Sequence, residues 1–230
     1  QLFALARGQL KTFKPEIVPL LQKENRLSTE YTKLLASAKI NFDGEERTLA
    51  QLEPFVESTD RKMRKEANEA KFGFLAEHEV VLDRIYDDLV KVRTEIAQTL
   101  GYKNFVELGY YRMMRTDYNA EMVANFRTQV KEFIVPIATK LKVRQQERIG
   151  LDKLKYYDEG FNYKTGNATP KGRPEWIIEN AQKMYNDLSE ETGVFFQLMQ
   201  ENNLMDLVAK KGKAGGGYCT FIENYKVPFI

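Results

Sequence analysis

Histidine and cysteine are almost missing from this sequence. Each occurs once among 230 residues, as His78 and Cys219. One cysteine excludes an internal disulfide framework, so a reducing cytoplasm is the expected compartment. One histidine excludes H-E-x-x-H, which needs two histidines a helical turn apart. It also removes the usual histidine-rich zinc site. The di-iron bundle pattern, a Glu three residues before a His, fails because Leu75 stands there. His78 therefore reads as a surface or boundary residue between Glu77 and Glu79 on a helix. A Cys219–His78 nucleophilic pair would need the fold to join them. Cys219 reads more simply as a half-buried strand residue.

Long apolar runs are lacking too. "FIVPIA" at 133–138 is among the longest, well short of the ~18 residues a membrane span requires. The 35 basic and 33 acidic residues leave a net charge of +2, too even to imply a nucleic-acid or membrane partner. Basic clusters such as "RKMRK" and "KLKVRQQER" interleave with apolar positions, as solvated helix faces do. The opening "QLFALARGQL" has neither a starting Met nor a signal-peptide layout. With the apolar final residues Val227 to Ile230, it gives the expectation of an internal piece of a longer protein. What is plentiful is apolar and charged residues together, at 43% and 30%, which suits a globular fold with a sizeable core.

Helical spacing dominates. Pro15 and Pro19 interrupt a helical pattern over 1–40, and Asp43-Gly44 centres a turn. Thr48 and Gln51 form a capping box. Ser58, Thr59 and Asp60 open a helix whose apolar face runs through Met63, Ala67, Ala70, Phe74, Leu82, Ile85, Leu89, Val92 and Ile96. Gly101 stands where a C-terminal cap belongs. Unbroken, this helix of about 59–100 would be roughly 60 Å long, so it bends near Gly73 or spans a large protein. Asn119 caps a second long helix over 119–149, with Val123, Phe126, Val130, Phe133, Ile137 and Leu141 as its stripe. Pro136 should kink it, and Gly150 ends it. The expected layout is a helical region over 1–156, a loop at 157–174, and helices over 175–211. A glycine-introduced β-hairpin at 212–230 completes it. Gly172 and Pro174 lead into the next helix, and Ser189 caps the last. The fold class is mainly α, with a small antiparallel β element near the C-terminus. The aromatic run "LGYYRMM" at 108–114 reads as core.

The glycines of "GKAGGGYCTFIENYKVPFI" fit no phosphate motif. A P-loop needs its Lys after the glycines and a helix beyond. A dinucleotide turn needs G-x-G-x-x-G opening a helix. "NFDGEERTLAQLE" lacks the acidic first position and glycine spacing of a calcium loop. Two readings stay open for Gly215 to Gly217: a flexible connector, or a place where another backbone can come close. "YCTFI" at 218–222 and Tyr225 to Ile230 read as two strands around Glu223-Asn224. An edge strand there could take an extended peptide as one more strand. From the residues alone, no catalytic set is complete.

Several stretches resemble the thimet oligopeptidase family of zinc metallopeptidases, in its oligoendopeptidase F branch. "LMDLVAKKGKAGGGYCTFIENYKVPFI" resembles the segment before that family's zinc-binding helix. "LGYKNFVELGYYRMMRTDY", "IGLDKLKYYD", "GNATPKG" and "LSEETGVFF" agree as well, so the likeness covers essentially the whole chain. It implies a zinc-dependent endopeptidase acting on short oligopeptides. The H-E-x-x-H helix would follow this chain in a C-terminal catalytic portion. No zinc ligand can then be assigned here, and none is expected to be held. The long helices would wall a peptide channel. Gly215, Gly216, Gly217, Tyr218, Cys219 and Thr220 would hold substrate through main-chain hydrogen bonds. The alternative is a non-catalytic helical module that captures peptides by strand addition.

Overall fold

A computed structural model describes all 230 residues. The chain is mainly α, with two small antiparallel hairpins. Helix α1 spans Leu2–Leu10 and α2 Val18–Ala36. Strands β1 (Ile40–Phe42) and β2 (Glu45–Arg47) pair around Asp43 and Gly44, both at positive φ. The turn was legible in the sequence; the strands flanking it were not expected. The short α3 (Glu53–Val56) leads to α4 (Arg61–Glu77), α5 (Glu79–Thr99) and α6 (Phe105–Arg112). After α7 (Ala120–Gln129) and a π-helical segment, Val130–Ile134, comes α8 (Val135–Ile149). An antiparallel pair, α9 (Pro174–Leu188) and α10 (Glu190–Glu201), precedes strands β3 (Thr220–Ile222) and β4 (Val227–Phe229).

Helices α2 and α5 pack along each other over the main core of Ile17, Leu27, Val92, Ile96, Ala97 and Leu108. Counting the partly buried Leu20 and Leu89, spacings of three, four and seven along the two helices put these side chains on facing stripes. Each fully buried aliphatic side chain there stabilises by ~1.5–3 kcal/mol. A smaller cluster of Ala38, Ile40, Leu52 and Phe74 seats the β1–β2 hairpin against α4. Of "LGYYRMM", only Leu108 and Gly109 are buried, while Met113 and Met114 are exposed, so the run is core at one end only.

Local caps follow the sequence. Thr48 N–H donates to Gln51 Oε1 (2.9 Å), and Gln51 N–H donates back to Thr48 Oγ1 (3.3 Å). Asp60, Asn119 and Ser189 accept from the N–H groups of Lys62, Met122 and Thr192. Gly150 adopts φ 73, ψ 42, and Leu151 N–H closes the cap on the Gln146 carbonyl.

Two helices depart from the simplest reading. The long pattern over 59–100 breaks at His78, not at Gly73, which lies inside α4. The imidazole explains the place. His78 Nδ1 lies 2.8 Å from the Phe74 carbonyl and the ring packs on Phe74. The side chain thus takes the carbonyl that the backbone would use, and His78 N–H shifts to Leu75. Ahead of Pro136, the helix widens into the π segment. Proline has no N–H and its ring crowds the carbonyl four residues back, so the ladder is repaired by a wider turn.

Candidate functional site

The candidate residues sit between α10 and the second hairpin. Helix α10 ends where Asn203 turns to φ 53, and Leu204 N–H bonds back to the Met199 carbonyl. The chain then lies beside the end of β4. Ile230 N–H donates to the Leu204 carbonyl (3.0 Å) and Asp206 N–H donates to the Ile230 carbonyl (2.8 Å). The intervening loop closes on Asp206, which pairs with Lys210 at 2.9 Å and Lys213 at 3.3 Å. The hydrogen bond from Lys210, then that from Lys213, holds this carboxyl below its ordinary range. Lys211 reaches Glu46 on β2 at 2.8 Å, tying the loop to the first hairpin.

Strand register determines what the second hairpin offers. Thr220 faces Phe229, Phe221 faces Pro228 and Ile222 faces Val227. Antiparallel pairs alternate between those that exchange hydrogen bonds and those that do not. Proline has no N–H, so Phe221–Pro228 is a non-exchanging pair. The N–H and C=O of Phe221 therefore point away from β4, to the outer edge of β3. No backbone hydrogen bond outside the ladder involves residues 214–221. The hairpin has one flank engaged, at Ile230, and one free.

Next to that free edge lie the three glycines. A Cβ built on Gly215, Gly216 or Gly217 meets nothing within 4 Å. Crowding therefore does not demand glycine at any of them. Conformation demands it only at Gly216, whose φ is +98°. The glycine segment, Tyr218, Leu207 and Phe229 line an open groove, with Thr32 of α2 at one wall. Of the six candidates, only Thr220 belongs to a strand; Gly215 to Cys219 are irregular. The expectation of a strand from residue 218 is thereby shortened by two residues. Cys219 is a free, exposed thiol outside the strand, not a half-buried strand residue. By the register, Cys219 would face Ile230, whose N–H and C=O are engaged with Leu204 and Asp206, so no ladder bond extends β3 past Thr220.

No group of three or more His, Cys, Asp or Glu side chains converges to hold a metal. His78 is engaged with the Phe74 carbonyl and lies far along the chain from Cys219. The residues present do not fit a zinc site. No helix is long and apolar enough to cross a membrane.

Spacing did not reveal two ionic clamps elsewhere in the helical body. Asp158 accepts from Arg61, from Arg64 and from Lys155 N–H. Burial pushes its carboxyl up, but the Arg61 and Arg64 hydrogen bonds outweigh that and hold it below the usual range. Gln145 of α8 donates to the Phe161 carbonyl at 2.8 Å. Glu24 on α2 accepts from Arg93 on α5 and Arg112 on α6. There too burial is opposed and exceeded, first by Arg112 and then by Arg93, and the carboxyl is held low. The available signal was Arg64 itself, three residues before Ala67 and ten before Phe74 on the buried face of α4.

The comparisons with known proteins agree with one another. The family described as "Peptidase family M3" matches residues 55–230. A solved structure of PZ peptidase A with an inhibitor is 70% identical, with a TM-score of 0.95 over 99% of this chain and 41% of that one. A protein from Bacillus anthracis str. Ames named oligoendopeptidase F is 65% identical, with a TM-score of 0.94 over 99% of this chain and 42% of that one. Another structure under the name oligoendopeptidase F is 64% identical, with a TM-score of 0.95 and 40% of its chain covered. No curated protein matches. The chain thus spans about two fifths of the length of these solved relatives. With a family match over most of its length and such identities throughout, the chain belongs to peptidase family M3.

Proposed function

We propose that this chain is the portion of a zinc-dependent metalloendopeptidase that aligns oligopeptides for hydrolysis. It contributes channel wall and a substrate-aligning strand in the cytoplasm, while the metal site belongs to a C-terminal catalytic portion. Family membership supports the peptidase part of this reading. The observation that carries the rest is the free outer edge of β3 beside three uncrowded glycines. An extended peptide placed there would exchange hydrogen bonds with the Phe221 N–H and C=O as an added strand. Such contacts disregard side-chain identity and suit a broad range of short peptides. Gly215 and Gly217 let the guest backbone approach where any Cβ would project. Tyr218, Cys219 and Thr220 complete the rail.

The test uses the protein at the length of its solved relatives and a fluorogenic oligopeptide. Val at Gly215 or Gly217 should raise KM at least tenfold while thermal stability holds. Unchanged kcat/KM in both variants would remove the glycines from substrate binding. The isolated 230-residue chain should neither bind stoichiometric zinc nor cleave the peptide. Chelator-sensitive turnover by that chain would contradict the division of labour.

A further inference from the structure

Three lysines precede the glycines in "AKKGKAGGG", and the structure sets one of them apart. The side chains of Lys210 and Lys211 are 62% and 68% exposed, and each meets one carboxylate, Asp206 and Glu46 respectively. Exposed pairs of that kind contribute little. The Lys213 side chain is only 28% exposed. Its ammonium donates to the Asp206 carbonyl and to the Val208 carbonyl (3.1 Å), and lies 3.3 Å from the Asp206 carboxylate. An ammonium has three donors, and here each has an oxygen. No backbone N–H reaches either carbonyl. One cation therefore gathers the 206–213 loop where no backbone ladder does.

This loop is the base of the glycine segment. Asp206 N–H is fixed on the Ile230 carbonyl (2.8 Å), just past β4. Lys213 itself lines the groove with Gly215, Gly216 and Gly217. Between Lys213 and Thr220, the first ladder residue, no backbone hydrogen bond holds the chain. The glycines make that span unusually free. With the ammonium in place, the unheld span is 214–219. Without it, only the exposed pairs and one turn bond, from Lys213 N–H to the Lys210 carbonyl, restrain the chain back to residue 207. Roughly doubling a loop in this way changes its probability of closure about threefold. The released residues must also be ordered whenever a peptide docks.

We propose that Lys213 is a positioning residue for peptide hydrolysis. Its ammonium, by gathering the Asp206 and Val208 carbonyls, sets Gly215 to Gly217 alongside the free edge of β3 before substrate arrives. The proposal rests on the reading of that edge as the substrate-aligning strand. It adds that the aligned conformation already exists in the unliganded protein. Loss of the ammonium then weakens docking and leaves the chemical step alone.

The experiment takes the protein at the length of its relatives and a fluorogenic oligopeptide. Lys213→Met keeps an unbranched stem and removes the donors. It should raise KM at least about fivefold, with kcat within about twofold of the parent and melting temperature unchanged. Lys210→Met removes the same charge from beside the same carboxylate but no bond to a carbonyl, and should leave KM within about twofold. Lys213→Gln, shorter and neutral, gives the same reading if the Met variant folds poorly. Equal rises in KM at 210 and 213 would overturn the proposal in favour of a purely ionic contribution. A fall in kcat equal to the fall in kcat/KM would overturn it in favour of general structural damage. The valine variants at Gly215 and Gly217 separate this proposal from the reading beneath it. If they raise KM and Lys213→Met does not, the positioning role fails and the aligning strand stands. If no variant raises KM, the aligning strand fails and the positioning role falls with it.

Discussion

Arg64 Nη2 donates to Asp158 Oδ1 at 2.9 Å, across 94 residues of sequence. The two side chains are 2% and 0% exposed, and the Arg64 guanidinium also lies 4.0 Å from the Phe161 ring centroid. This pair pins the 155–161 segment onto α4. Asp158→Asn leaves a buried guanidinium without its counter-charge, a loss of about 3–5 kcal/mol. Urea unfolding should show a lower midpoint with an unchanged slope. Arg61→Ala, at a partner whose side chain is 42% exposed, should cost about 1 kcal/mol or less. Comparable losses at the two positions would mean that burial does not set the strength of this clamp.

The two clamps make stability depend on acid. Asp158 and Glu24 both have pKa values lowered from the ordinary 3.8 and 4.5. Near pH 4 the unfolded chain therefore binds more protons at these sites than the folded one. Their contribution is fully present above the ordinary carboxylate values and is lost as pH falls through them towards the lower folded values. Melting temperature should be flat from neutral pH down to about pH 5 and then decline. Asp158→Asn and Glu24→Gln should each lower it at neutral pH and reduce the acid slope. An unchanged slope in both variants would assign the acid sensitivity elsewhere.

Features set by a few neighbouring residues were legible in the sequence. The Thr48–Gln51 box, the caps at Asp60, Asn119 and Ser189, and the Gly150 terminus all act within one helical turn. The β3–β4 pairing was legible for the same reason, through short β-rich runs around a turn. The break at His78 was not, because glycine and proline are the usual signals and an imidazole competing for the Phe74 carbonyl carries neither. Nor could spacing show that Asp158 meets Arg64, or that Glu24 joins Arg93 and Arg112, since each partner lies on another element. At the candidate site the sequence indicated the glycines and the edge strand. That Phe221 is the residue facing outward depends on register, which Pro228 imposes only once β4 is paired.

Two glycines in helices should respond with opposite signs. At Gly193 of α10, an added Cβ would lie 2.3 Å from Asn186 Oδ1 and 3.3 Å from Asn186 Cα, on α9. Gly193→Ala should therefore separate the α9–α10 pair and destabilise by about 1–3 kcal/mol. Gly73 lies inside α4 with nothing within 4 Å of such a Cβ. Gly73→Ala should stabilise by about 0.5–1 kcal/mol, because alanine has less backbone freedom to lose. Chemical denaturation of the two variants checks both, and a gain at Gly193 would show that the helix pair is not close-packed there.

The outward amide of Phe221 permits the most direct test of the docking edge. Phe221→Pro removes one N–H that is not used in the ladder, since its partner Pro228 exchanges no hydrogen bond with it. Edge strands tolerate proline on their free side, so the hairpin should persist with a small change in melting temperature. Phe221→Ala keeps the amide and deletes the ring, which is 53% exposed. In the protein at the length of its relatives, the proline variant should lose at least tenfold in kcat/KM for an oligopeptide. That corresponds to about 1.4 kcal/mol, within the range of a single hydrogen bond at a desolvated site. The alanine variant should lose far less. Equal losses would mean that the ring, not the backbone, meets the substrate. Full activity of the proline variant would mean that no peptide strand is added along this edge.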